Sequence, residues 1–454
     1  MASRRRNIDM GSGSFLKNII LFAIPIALTG FLQCLYNAAD MVVVGKFGSS
    51  NSLAAVGATG SPTGLLVNLF LGLSIGASVI VSRSLGEGNR EKIIKAVHTA
   101  VSIGAIAGVL VALLGFLFCE QLLILMGVPS DILDKSVLYT KIFFVGVPAS
   151  MLFNFIGAIF RASGNTKTPL IVSLLSGILN VILNCIFVIA FKMDVAGVAA
   201  ATAVSCYFSA TISLILLKNE HGPIRFFFKK LTIDKESLKD ILIIGIPSGL
   251  NSAMYSISNI LINTRINSFG STVVGGHAVG TNISAFLYQL NVTPFAQASV
   301  SFIAYNYGAK KYENFKKIIG ACLLWAVAVG AAITALLLPF GESVASVYTN
   351  SQSEIEIGVL FLTIVGILHW ILGISETLNG AIRGLGKSFT AMILSVIGIC
   401  GIRVIFTQFI FPLFPTISCL YLSYPVSWII TITMQVITFL LLSRSVRKNE
   451  GISQ

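Results

Sequence analysis

AIPIALTGFLQCLYNAADMVVVGKFG, beginning at Ala23, recurs in outline 222 residues later as GIPSGLNSAMYSISNILINTRINSFG from Gly245. At that same offset Pro25 falls on Pro247, Phe47-Gly48 on Phe269-Gly270, Gly86 on Gly308 and Arg161 on Arg383. Ala55-Val56-Gly57 returns one residue late, as Ala278-Val279-Gly280. A register held over such a distance marks a duplication. Two similar halves of about six apolar segments each are a common plan of secondary transporters, because similar lobes can rock against each other around a site.

The surroundings of the repeat fix the solvent. Of 454 residues, 55% are hydrophobic and 11% charged, and the mean hydropathy is +0.88. A soluble domain carries about 25% charged residues. Twelve apolar runs can be marked, near 15–44, 52–82, 94–118, 136–160, 169–191, 195–217, 239–266, 274–305, 318–340, 357–382, 389–411 and 420–443. Each is long enough to cross about 30 Å of hydrocarbon. The expected fold is an all-α integral membrane protein with twelve transmembrane helices in two six-helix bundles related by a pseudo-twofold axis. Its expected parts are an N-terminal lobe at 1–217, a basic linker at 218–238 and a C-terminal lobe at 239–454. Pro25 and Pro247 sit early in the first span of each half, where proline either starts a helix or bends one.

A formal net charge of +13 might suggest nucleic acid, but its placement excludes that reading. Of 31 Lys and Arg, 25 fall in the termini and every second loop, including Arg4, Arg5, Arg6, Arg83, Arg161, Lys229, Lys310, Arg383 and Arg447. By the positive-inside rule these loops, and both termini, are cytoplasmic. The first apolar run is too long for a secretory signal core. The expected location is the bacterial cytoplasmic (inner) membrane, as a multi-pass monomer. Seven cysteines are scattered singly and four histidines, His98, His221, His277 and His369, are dispersed, so no structural metal site is visible. With no GxxxxGK[ST] loop, ATP-driven pumping by this chain is not expected. No acid, base and nucleophile set converges, so no enzyme and no cofactor are expected. Energy must come from an ion gradient or a partner.

Ionisable groups inside the spans carry the functional argument, since a charge at the bilayer centre costs about 2.5–3.5 kcal/mol even on the gentler insertion scale. Asp40 lies near the outer end of span 1, and Gln33, Asn37 and Asp40, at i, i+4 and i+7, share a helix face. Asn180 and Asn184 in span 5, and Thr202 in span 6, stand at a similar outer depth. A carboxylate, two amides and a hydroxyl there suit either a proton-titrating Asp or a hard cation such as sodium. On the alternative reading Asp40 caps its helix and the asparagines bond helix to helix.

NAADMVVVGKFG, RASGNTKTPLIV, NVILN, GVAAAT and GAIRGLGKS, in that order, resemble a multidrug and toxic compound extrusion (MATE) transporter over nearly the whole chain. The resemblance implies outward efflux of cationic amphipathic compounds coupled to inward flow of H+ or Na+. It also implies an N-lobe cation-coupling site at Asp40, Asn180, Asn184 and Thr202. The chain departs from the pattern at Asn184, where many members are acidic; this favours a proton over Na+ at the Asp40 site. It departs again at Tyr255, where one branch carries a glutamate. At the repeat offset Asp40 falls on Ile262 and Asn180 on Ile402, so the second half lacks an equivalent site.

The second half carries its own ionisable residues, Glu376 in span 10 and Arg403 in span 11. An ion pair between them would need tilt or a helix break, because their depths differ by roughly 13 Å at 1.5 Å per residue. Span 7 shows Asn251, Tyr255, Asn259 and Asn263 at intervals of four, and span 8 shows Asn282 and Gln289 on one face. With Gln33, Asn37 and Glu376, the residues Tyr255, Asn259, Asn282 and Gln289 are candidate substrate-cleft residues. The expected function is cation-coupled export of small organic cations by alternating access of two lobes, with the lipid bilayer as surroundings. The alternative is a lipid-linked saccharide flippase, although its cavity would need several basic groups and only Arg403 is deeply placed.

Overall fold

The computed structural model describes residues 7–49 and 51–449, with main chain alone at 61, 62, 65, 230, 338, 447 and 449. Arg4, Arg5, Arg6 and the side chain of Arg447, used above to orient the termini, lie outside the described residues. Apolar runs inside lipid have no water to satisfy their backbone, so helix is the only local solution open to them. Among the described residues the chain is helical rods and short joints. The first half gives α1 (Phe15–Phe47), α2 (Ser52–Glu87), α3 (Arg90–Leu125), α4 (Ser130–Ala162), α5 (Lys167–Ala190) and α6 (Asp194–Lys218). The second gives α7 (Lys235–Asn267), α8 (271–308), α9 (Asn314–Ala345), α10 (Gln352–Gly366 and His369–Gly384, bent by 45°), α11 (Ser388–Leu413) and α12 (Ile417–Asn449).

Ten of these rods carry a window apolar enough to cross a membrane, and the bent α10 adds another. The remaining rod, α8, falls short by composition. It holds Asn282, Gln289, Asn291, Gln297 and Asn306 and is interrupted by a π turn at Tyr288–Val292. Further π turns occupy Cys185–Ala190 in α5, Leu362–Gly366 in α10, and Val396–Gly401 and Phe406–Ile410 in α11. Such turns shift the side-chain register within an otherwise continuous helix and collect at functional sites.

The compact units do not follow the boundaries expected from sequence. One unit comprises Met1–Ile8 and Phe31–Gly249, the other Asp9–Gly30 and Leu250–Gln454. The divisions fall inside α1 and α7, a few residues after Pro25 and Pro247, both of which are interior to their helices. Packing explains the assignment. In the second unit Phe15 and Phe22 of α1 meet the Phe302 ring edge-on at 6.5 and 5.4 Å, and the Trp325 indole donates to the Leu16 carbonyl at 2.9 Å. In the first unit Gly72 of α2 leaves no room for a side chain against the Gly249 backbone, where a Cβ would stand 2.1 Å from the amide nitrogen.

The basic linker of the sequence reading is shortened to residues 219–234 and is docked on the first unit. His98 of α3 is fully buried; its Nδ1 bonds the Ile94 carbonyl at 2.7 Å, and its Nε2 accepts from the Phe227 amide at 3.0 Å. Phe226 stacks on the same imidazole at 5.0 Å. Asp234 closes the linker by capping α7, accepting from the Ser237 amide and hydroxyl, both at 2.9 Å. Near Asp40, Val44, Ala55, Val56, Val188, Val195 and Val198 form an apolar cluster. In the second unit a larger one gathers around Phe361, Tyr421, Tyr424 and Trp428.

Candidate functional site

The approach of α1 to α5 is set at Gly177. A Cβ at that position would stand 1.7 Å from the Tyr36 ring, so the ring lies against bare backbone, and its hydroxyl donates to the Leu174 carbonyl at 3.4 Å. Asp40 is one turn beyond Tyr36 on α1, and Asn180 and Asn184 are one and two turns beyond Gly177 on α5. The contact at Gly177 therefore carries the carboxylate to the asparagines. Asn184 Nδ2 donates to Asp40 Oδ1 and also to Asn180 Oδ1 at 3.2 Å. From α6, the Thr202 hydroxyl shares its proton between Asp40 Oδ2 at 3.3 Å and the Val198 carbonyl at 3.0 Å, and accepts from Asn180 Nδ2 at 3.4 Å. All four residues expected at the cation site are thus in one network.

This network is buried and holds no Lys or Arg among the described residues. Asp40 is 9% exposed, Asn180 6% and Asn184 0%, and Asp40 forms no ion pair among the described residues. A charge held only by neutral donors in a low-dielectric setting is costly, and taking up a proton relieves that cost. Asn184 Oδ1 is buried without a hydrogen-bond partner. Protonated Asp40 becomes a donor, and this oxygen, presented by rotation of the amide, is an acceptor in reach. A sodium ion needs several converging oxygens, yet here the carboxylate oxygens are occupied by an amide N–H and a hydroxyl. Binding a metal there would require these donors to turn away from the carboxylate. The π turn begins at Cys185, immediately after Asn184. Outside the network, Asp194 at the start of α6 accepts from the Ser49 amide at 3.2 Å and pairs with Lys135 of α4 at 3.4 Å, tying these helix ends together.

Gln33 and Asn37, expected on one face with Asp40, are exposed whereas Asp40 is buried, and they do not join its hydrogen bonds. In the second unit the Tyr255 hydroxyl donates to Glu376 Oε1 at 2.7 Å, and Asn379 Nδ2 to the same oxygen at 3.4 Å. Glu376 is 7% exposed. The ion pair weighed for Glu376 and Arg403 does not form. Arg403 lies over the Tyr424 ring, 4.2 Å from its centroid, and donates to Asn259 Oδ1 at 3.0 Å and to the Ser258 and Ser427 hydroxyls at 3.4 Å. A buried guanidinium satisfied by a ring face and three oxygens needs no carboxylate. Asn259 is thereby committed to Arg403. Asn282 donates to the Ala278 carbonyl of its own helix at 2.8 Å, and Gln289 accepts from Thr293 at 2.8 Å.

Sequence reading passed over Asn379, whose three-residue spacing from Glu376 places it on the same helix face, and Ser375, whose hydroxyl donates to Gln435 Oε1 at 3.0 Å. The spacing of Asn379 was a usable signal; the pairing of Ser375 with Gln435, 60 residues away, had none.

The MatE family model matches residues 25–186 and 247–409, two blocks that start 222 residues apart and so reproduce the internal repeat. The probable multidrug resistance protein YoeA of Bacillus subtilis is 24% identical over 398 residues, covering 86% of both chains. The probable multidrug resistance protein NorM of Thermotoga maritima is 25% identical over 389 residues, covering 84% of this chain and 83% of its own. Among solved structures, an outward-facing multidrug resistance MATE family transporter superposes with a TM-score of 0.90 at 20% identity, over 98% of this chain and 99% of that one. A mutant of the Vibrio cholerae MATE transporter VcmN gives 0.87 at 22% identity, over 97% and 98%. Duplicated apolar halves, a matching all-helical fold and a family match across both repeats lead to one conclusion: the chain belongs to the MATE family of transporters.

Proposed function

We propose that this transporter is a proton-coupled exporter of cationic amphipathic compounds, with Asp40 as the coupling group. The observation that carries the reading is a buried carboxylate held by Asn184 and Thr202 with no Lys or Arg partner among the described residues, beside an unpartnered Asn184 oxygen. Protonation makes Asp40 a donor, turns the Asn184 amide and releases its bond to Asn180. α5 then repacks against α1 and α6, and substrate leaves outward. Loss of the proton to the cytoplasm resets the cycle, which gives alternating access. The multidrug resistance and export names of the relatives support the substrate class. Placement in the bacterial inner membrane with both termini cytoplasmic rests on the charge distribution.

Arg403 is spent on Tyr424, Asn259, Ser258 and Ser427, so it offers nothing to the pyrophosphate of a lipid-linked saccharide, and the flippase reading gains no support. The test is uptake of a fluorescent organic cation into proteoliposomes, driven separately by a pH gradient and by a sodium gradient. Accumulation under the pH gradient alone supports the reading. Accumulation that requires sodium overturns it.

A further inference from the structure

One face of α10 carries His369, Gly373 and Glu376, at i, i+4 and i+7, so the imidazole and the carboxylate stand about 10.5 Å apart along the same stripe. Both are buried, His369 at 6% and Glu376 at 7% exposure. Between them the π turn of α8 delivers Asn291. Its side chain is 1% exposed, and neither its Nδ2 nor its Oδ1 has a hydrogen-bond partner. The amide is aimed at the stripe: a Cβ on Gly373 would stand 3.1 Å from Asn291 Nδ2.

The polar atoms around this point are short of partners in the same way. The ring nitrogens of His369 make no hydrogen bond of good geometry, the Trp428 indole nitrogen beside that ring has none, and Asn379 Oδ1 next to Glu376 has none. Glu376 Oε1 accepts from Tyr255 and Asn379, and no side-chain donor reaches Oε2 among the described residues. Buried polar groups in this number are stable when water joins them, and a buried water takes two to four such partners.

We propose that Asn291 anchors a buried water site in the second unit that links His369 to Glu376 and delivers protons to the Glu376 carboxylate. About two waters at hydrogen-bond spacing, with the Asn291 amide, span the gap. In the transfer a water-borne proton passes to Oε2; the carboxylate becomes a neutral acid, and the chain of waters is restored by a proton entering at His369. The titratable and charged groups facing this carboxylate are Tyr255 from α7, Tyr288 from α8 and Arg383 from its own helix, with Arg403 of α11 acting on Tyr255. From α12, Trp428 faces His369 at 5.9 Å, and Gln435 reaches the stripe through Ser375. The inference goes beyond the role given to Asp40 and stands without it.

Infrared difference spectra of the full-length protein in lipid nanodiscs, taken across a pH titration, test it. Against the background of the other carboxyls, one carboxylic-acid component is expected that is present in the wild type and in Asp40→Asn and missing from the spectra of Glu376→Gln. On transfer to heavy water, Asn291→Leu and Gly373→Ala are expected to slow the isotope shift of that band at least tenfold. The nearest atoms to the added methyl of Gly373→Ala belong to Asn291 and Ala326, so this variant reads out the water site if Asn291→Leu fails to fold. Glu376→Gln spectra that lack no component of the wild type, or an exchange rate unchanged in Gly373→Ala, overturn the proposal.

Discussion

Asp40→Asn separates coupling from folding. The substitution keeps the size of the side chain and an oxygen able to accept from Asn184 or Thr202. Hydrogen bonds to a charged group contribute about 1.5–3 kcal/mol, neutral ones about 0.5–1.5, so two weakened bonds cost roughly 2–3 kcal/mol. Removing a carboxylate that is 9% exposed and has no ion pair recovers a desolvation penalty of several kcal/mol. The folded protein should be as stable as the wild type or more so. The functional effect is opposite in sign. One proton moving down one pH unit supplies about 1.4 kcal/mol, enough for about tenfold accumulation of a substrate. In proteoliposomes with a gradient of one pH unit, the wild type should concentrate a fluorescent cation up to about tenfold per coupled proton. Asp40→Asn should only equilibrate it, with a Tm equal to or above that of the wild type. Full accumulation by Asp40→Asn would refute the coupling assignment; lost transport together with a Tm many degrees lower would show that the carboxylate is structural.

Gly177→Ala should expel the Tyr36 ring, since its methyl would stand 1.7 Å from it, at a cost of about 1–3 kcal/mol. Proton-driven uptake should fall with it because Asp40 loses register with Asn184, and Tyr36→Ala in the same chain should restore part of the uptake. Arg403→Gln removes a desolvated cation–π contact and bonds to Asn259, Ser258 and Ser427, so the unfolding midpoint should fall by the equivalent of about 2–4 kcal/mol; an unchanged midpoint would count against a structural role. Asp234 is partly exposed, and the Ser237 amide and hydroxyl hold its carboxyl below the usual carboxylate range. Its capping contribution is therefore present above the ordinary carboxylate pKa and lost as pH falls through the lowered value. Asp234→Ala should speed amide exchange in the first turn of α7 at neutral pH, a local change that the rest of α7 does not share.

The sequence by itself settled the solvent, the helical class and the duplication, because composition and register are properties of the chain and lipid leaves helix as the only answer for long apolar runs. It also marked Asp40, Asn180, Asn184 and Thr202, whose helical spacing and common depth can be counted along a line. Only the tertiary structure decided which atoms of these residues meet. Gly177 carries no polar signal, yet its bare backbone is what brings α1 to α5. The unit boundaries fall inside α1 and α7 because Phe15 and Phe22 pack on Phe302 and Gly249 on Gly72, contacts between residues remote in sequence. Glu376 and Arg403, the obvious pair of opposite charges, each find neutral partners, Tyr255 for one and Tyr424 with Asn259 for the other. Charge can be read from a sequence, but which atoms lie within 3 Å of it depends on helix rotation, on π turns and on glycines that let backbones touch, and these are fixed only when the helices pack.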